Sequence, residues 1–180
     1  MAFTSDLDRI TRAAAGEPAA VSSLVDRYSH GILAVATRML GDVSEAEDVT
    51  QETFLRAWKA LPQWEPRARF STWLHRVALN LCYDRLRKRR EQTMDQLPDQ
   101  TDPALTPPEL LDQTQRVRAV EAAISNLPER QAAALTLCAI QGNSQAEAAE
   151  IMEISIEALE SLLARARRTL RVNLLERVES

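Results

Sequence analysis

Apolar side chains return every three or four positions through most of the chain, the spacing of one buried helical face. Over residues 69–90, at 100° per residue, Phe70, Trp73, Leu74, Val77, Ala78 and Leu81 fall on one side. Over 156–170, Ile156, Leu159, Leu163, Ala166 and Leu170 do the same. Strict alternation is absent, β-branched runs are short, and Ala, Leu, Glu and Arg dominate, so strands are not expected. The fold class is all-α.

Helices are expected near 5–15, 18–40, 45–60 and 71–90, and again near 115–125, 129–141, 145–152 and 156–175. Gly41 suits the end of the second helix and Gly142 follows the sixth. The "SEAE" run makes Ser44 an N-cap with Glu47 three residues on, and Ser144 with Glu147 repeats that capping box. Pro128 suits a first helical turn. In "LPQWEPRARF", Pro62 and Pro66 forbid one continuous helix from 45 to 90. The short helix near 145, the tight "MEIS" turn and the long helix capped by Ser155 have helix-turn-helix proportions.

Charge then divides the molecule. The net charge is −4, yet residues 1–90 carry 14 basic and 11 acidic side chains, 91–115 carry 6 acidic and no basic ones, and 116–180 carry 8 basic and 9 acidic. The acidic stretch also holds four of the eight prolines and no sustained apolar period, as a flexible linker would. Two small helical domains follow, residues 1–92 and 116–180, joined by an acidic, proline-rich linker over 93–115.

No apolar run is long enough to span a membrane and no secretory leader is visible, so a cytoplasmic protein without membrane insertion is expected. Cys82 and Cys138 stand far apart, without CxxC spacing. His75 and Cys82 share a helix face but lie about 10 Å apart along the axis, too far for one metal ion. Neither a glycine-rich phosphate loop nor a nucleophile elbow is present, so no enzyme, cofactor or metal site is expected.

Opposite the apolar side of residues 69–90 runs a stripe of Thr72, Arg76, Asn80, Tyr83, Arg87 and Arg90, roughly two dozen Å long. Cations suit phosphates, an amide pairs with a base edge, and an exposed ring stacks on an unpaired base. Taken alone, the stripe reads equally as a solvated face whose basic last turn complements the helix dipole. Arg85, Arg87, Lys88, Arg89 and Arg90 encircle the helix, however, which is more charge than the dipole requires and favours a polyanion.

The run "DVSEAEDVTQETFLRAWKALPQWEPRARFSTWLHRVALNLCYDRLRKRR" closely resembles region 2 of the extracytoplasmic-function group of bacterial sigma factors. The run "ISNLPERQAAALTLCAIQGNSQAEAAEIMEISIEALESLLARARRTLR" resembles their region 4. The two runs cover about half of the chain, and their order around an acidic linker is jointly specific.

The resemblance implies a transcription initiation subunit that binds core RNA polymerase, directs it to promoter DNA and melts the minus-ten element. It implies that Asp48, Gln51, Glu52 and Leu55, on the outer side of the third helix, meet the β′ clamp helices, with Ala46, Thr50, Phe54, Ala57 and Leu61 inward. A leucine exposed among acids and amides fits helix-on-helix docking. Minus-ten DNA would be held by Arg76, Asn80, Tyr83, Arg87, Lys88 and Arg90, with the preceding loop shaping a pocket for a flipped base. Region 4 would meet the β flap and read the minus-thirty-five element through Glu157, Ala158, Ser161, Arg165 and Arg168. Here the sequence departs from the family, with "EIS" where a glycine is common in the turn and an acidic start to the recognition helix. An anti-sigma factor is a further implied partner.

Overall fold

The computed structural model describes residues 5–65, 68–95, 123–124 and 126–176, and every regular element among them is helical. The expected linker beyond Asp95, and the helix expected over 115–125 apart from Ala123 and Ile124, lie outside the described residues.

Helix α1 (Asp6–Ala14) starts at Ser5, whose hydroxyl accepts from the Asp8 N–H at 3.1 Å. Asp6 and Asp8 in the first turn complement the positive end of the helix. Pro18 opens α2 (Pro18–Leu40), where its missing N–H costs nothing, and Gly41 ends it at φ 68°, a left-handed conformation that suits glycine.

Helix α3 (Val43–Ala60) begins two residues earlier than the SEAE capping box suggests. Asp42 is the N-cap, its carboxylate accepting from the Glu45 N–H at 2.8 Å. The reason is geometric: Gly41 turns the chain within one residue and leaves Asp42 extended, so the first available acceptor caps the helix before Ser44 is reached. A 3₁₀ turn at Leu61–Gln63 follows, and α4 (Phe70–Asp95) continues well past Arg90.

In the second half, α5 (Glu129–Leu135) opens from Pro128, which occupies the N-cap rather than the first turn. A wider π-type turn over Thr136–Ile140 leads to Gly142 at φ 68°. Helix α6 (Gln145–Met152) carries the expected capping box: the Glu147 N–H donates to the Ser144 hydroxyl, and the Ser144 N–H donates to the Glu147 carboxylate. Glu153 makes the tight turn at φ 54°, and α7 (Ile156–Glu176) begins where Ser155 accepts from the Ala158 N–H at 3.2 Å.

Helix α2 packs against α1, α3 and α4, while α7 packs against α5 and α6. The two groups meet where α6 lies on α4 and α5 reaches α2. Buried apolar residues from both halves form one cluster, including Leu24, Ile32, Leu74, Leu137, Leu159 and Leu163. Thr50 and Ile156 depart from their expected inward places. Thr50 is half-buried, with its hydroxyl bonded back to the Ala46 carbonyl, and Val49 and Thr53 take the inner positions of α3. Ile156, in the first turn of α7 beyond the end of α6, is 44% exposed.

Candidate nucleic-acid and partner interfaces

Helix α4 is covered on two sides, which one-sided periodicity does not reveal. Phe70, Leu74, Ala78, Leu81 and Cys82 are buried, and Trp73 and Val77 are half-buried, as the apolar face predicts. Thr72, His75 and Leu79 are buried too. They lie away from the apolar face, and α6 packs on α4.

That packing splits the polar stripe lengthwise. Asn80, Arg87 and Arg90 stay exposed, as does Lys88 beside them. Arg76 and Tyr83 are half-buried: Arg76 donates to the Glu150 carbonyl at 2.8 Å and pairs with Glu153 at 3.0 Å, and Tyr83 feels the charges of Arg130 and Glu129. Burial pushes the Tyr83 phenol up to about 12, keeping it a protonated donor. Arg90 reaches Glu129 at 3.0 Å.

The basic cluster also divides. Arg89 donates to the Leu40 carbonyl at 2.9 Å, one of the carbonyls left open at the end of α2, and pairs with Glu45 at 2.8 Å. Arg85 reaches Asp48 at 3.5 Å. Both tie α4 to neighbouring helices of the first domain. Among the described residues Arg87 pairs only along its own helix, with Asp84 at 2.8 Å and Glu91 at 3.9 Å, contacts that solvent weakens. The cluster therefore contains fewer outward cations than its sequence suggests.

At the N-terminal end of α4 an open cleft of about 440 Å³ lies between α1, α2 and the segment before α4. Trp64, Tyr28 and Phe70 line it with Arg27 and Arg69. Phe70 meets Trp64 and Tyr28 edge-on at 5.6 and 5.8 Å, and Trp73 stacks behind it at 6.0 Å, so the aromatic wall is braced from the core. The Tyr28 hydroxyl donates to Asp6 at 2.5 Å.

Along α3, Asp48, Gln51 and Leu55 are exposed and Glu52 is partly so, all on one face. Leu55, 46% exposed, stands between two clefts. One is apolar, with Val25, Leu33, Phe54 and Trp58; the other is polar, with Asp48, Glu52, Arg85 and Lys88. Arg56 bonds Glu52 at 2.8 Å and holds its carboxyl below the ordinary range.

On α7, Glu157, Ala158, Ser161, Arg165 and Arg168 are all exposed. The Glu157 carboxylate is drawn onto its own backbone N–H and the Ser155 hydroxyl, which hold it below the ordinary carboxyl range. It serves the start of the helix. Leu159, Leu163 and Ala166 are buried beneath this face.

His75 and Cys82 are buried separately. The His75 Nδ1 lies 2.8 Å from the Ser71 carbonyl, so it carries the proton, and burial pulls the imidazole below its ordinary value. Its Nε2 is buried and has no hydrogen-bond partner among the described residues. Burial likewise pushes the Cys82 thiol up to about 12, which makes it inert. Among the described residues no cluster of His, Cys, Asp or Glu could hold a metal ion, and no helix is long and apolar enough to cross a membrane.

A helical module with an outward cationic edge and a braced aromatic cleft, followed by a helix-turn-helix, defines a two-part nucleic-acid-binding protein. The sigma-70 region 2 family model matches residues 24–92, and the sigma-70 region 4 model matches residues 117–170. The chain is 30% identical to the ECF RNA polymerase sigma factor SigW of Bacillus subtilis, over 92% of this chain and 95% of SigW. It is 35% identical to the ECF sigma factor SigE of Mycolicibacterium smegmatis over 88% of its own length, spanning 64% of that relative. The solved structure of CnrH in complex with the cytosolic domain of CnrY superposes with a TM-score of 0.70 at 30% identity, over 94% of this chain and 96% of that one. The chain belongs to the extracytoplasmic-function sigma factors of the sigma-70 family.

Proposed function

We propose that the chain is a cytoplasmic promoter-specificity subunit that binds core RNA polymerase, carries it to a subset of promoters and helps melt the minus-ten element. The observation that carries this reading is the exposed edge of α4, Asn80, Arg87 and Lys88, on the same helix whose first turn walls the aromatic cleft. A melted strand offers both things such a surface takes: phosphates for cations and unstacked bases for aromatic walls. Base extrusion costs a few kcal/mol, which ring contacts in the cleft and phosphate contacts along α4 offset. Arg76, Tyr83 and Arg90 extend the grip once they leave their acidic neighbours.

The α3 patch of Asp48, Gln51, Glu52 and Leu55 docks the β′ clamp helices, with Leu55 as the apolar anchor. The C-terminal domain binds the β flap and presents Ala158, Ser161, Arg165 and Arg168 to the minus-thirty-five element. Glu157, engaged at the helix start, contributes positioning more than base reading. An anti-sigma factor is a further expected partner; the similar protein CnrH is found in complex with the cytosolic domain of CnrY.

The test is run-off transcription: core polymerase plus the purified chain should initiate at a defined subset of promoters in a genomic library. Output identical to that of core enzyme alone refutes the assignment.

A further inference from the structure

We propose that Lys88 is an acylation site, taking an acetyl group from an anionic donor such as an acyl phosphate and so removing one positive charge from the exposed edge of α4. The proposal rests on the reading of that edge as the strand grip and adds a covalent control on it.

The first observation is chemical. Lys59 and Lys88 are the only lysines among the 22 basic side chains of the chain, and Lys88 stands in the run "RLRKRR" with an arginine on either side. A guanidinium stays protonated and takes no acyl group, whereas a lysine amine accepts one. Lys88 is therefore the one member of this run whose charge acylation can remove.

The second observation is geometric. Six cations are described on α4, and five have a carboxylate partner at 3.5 Å or less: Arg76 with Glu153, Arg85 with Asp48, Arg87 with Asp84, Arg89 with Glu45 and Arg90 with Glu129. Lys88 has neither an ion pair nor a hydrogen bond among the described residues. It is exposed, at a polar cleft of about 350 Å³ that Asp48, Glu52 and Asp84 also line. Each of those carboxylates is already engaged by an arginine, Asp48 by Arg85, Glu52 by Arg56 and Asp84 by Arg87. No contact confines the amine, and the cleft leaves room for a donor beside it. The exposed cations Arg87 and Arg90 draw an anion toward the same place. Lys59, exposed on α3, has a different setting, where its charge acts on Glu52.

The step needs no oxidant or reductant. The ammonium releases one proton to solvent, the amine nitrogen attacks the acyl carbon, an N–C bond forms and the C–O bond to phosphate breaks. Phosphate leaves with the bonding pair and takes the second proton. An acetyl thioester gives the same amide, with a thiol as the leaving group. The amide is neutral and no longer pairs with a nucleic-acid phosphate.

The experiment uses the full chain, incubated in parallel with acetyl phosphate and with acetyl coenzyme A. Peptide mass spectrometry follows each lysine, and anisotropy with a short fluorescein-labelled single strand of mixed sequence reports affinity before and after. Lys88 should acetylate several-fold faster than Lys59 with at least one donor, by a margin that high salt narrows, and the donor that reacts identifies the source of the group. The acetylated wild-type chain should bind about fivefold more weakly at about 0.1 M salt, with the slope of log affinity against log salt lower by about 0.7. Lys88→Arg, compared with its own untreated sample, should not respond to treatment, and Lys59→Arg should respond as the wild type does. Equal or faster acetylation of Lys59, unchanged affinity once Lys88 is acetylated, or an equal response from Lys88→Arg overturns the proposal. Arg87→Glu separates the two levels: if it weakens binding while acetylation of Lys88 does not, only the control at Lys88 is wrong. If neither weakens binding, the strand-grip reading falls as well.

Discussion

Replacing Arg89 by alanine should unfold the first domain more readily while leaving its electrostatic attraction for a single strand largely intact. Replacing its neighbours Arg87 or Lys88 should do the reverse. Arg89 makes two charge-assisted contacts, to the Leu40 carbonyl at 2.9 Å and to Glu45 at 2.8 Å. Such bonds contribute about 1.5–3 kcal/mol where water is excluded. The Arg89 side chain is 39% exposed, so solvent screening reduces the combined loss to about 1–1.5 kcal/mol. For a domain of this size that corresponds to a fall of roughly 5–10 °C in Tm. Arg89→Lys should recover only part of it, because an ammonium lacks the planar fork that reaches both acceptors. Arg87 is 60% exposed and, among the described residues, pairs only within its own helix, so Arg87→Ala should change stability by less than about 0.5 kcal/mol. Removing one phosphate contact should lower the slope of log affinity against log salt by about 0.7 for a single strand. Thermal melts followed by circular dichroism, paired with anisotropy titrations across a salt series, measure both quantities on the same variants. Equal destabilisation by Arg87→Ala and Arg89→Ala, or an equal loss of salt slope, would refute the division of the basic cluster.

Leu55→Asp should abolish co-purification with core polymerase while changing the denaturation midpoint little, because the side chain is exposed beside the apolar cleft of α3; retained binding counts against that docking face. Because the folded His75 has a lowered pKa, its contribution to stability is present above the unfolded value of about 6.5. It is lost as pH falls from there toward the folded pKa. Urea midpoints should therefore drop between pH 7.5 and 5.5, and His75→Asn, which lacks a titrating group, should flatten that drop. Ser144→Ala removes the hydroxyl that caps α6 and should destabilise the helix-turn-helix by about 1 kcal/mol, readable as a lower urea midpoint.

The described helices, the Ser144 capping box, the Gly41 stop and the periodic faces of α4 and α7 were legible in the chain because each depends on residues a few positions apart. Family membership was legible for a related reason: the two motif runs keep their order and composition on either side of an acidic, proline-rich stretch. The same local logic misplaced the start of α3, since a one-residue turn at Gly41 brought Asp42 into capping position first. It also assigned Ile156 to a core that α6 does not extend far enough to form.

What tertiary structure alone decided is which members of the α4 stripe face water. Arg89 meets partners more than forty residues earlier in the chain, and Arg69 and Arg76 meet partners more than seventy residues later. A helical wheel describes one body and says which residues share a side. It contains no term for what covers that side, and in this protein the covering body is the protein's own C-terminal domain. The basic side of α4 thus resolves into arginines that hold the first domain together, Arg76, which ties the two domains, and an exposed edge of Asn80, Arg87, Lys88 and Arg90, the last also paired with Glu129.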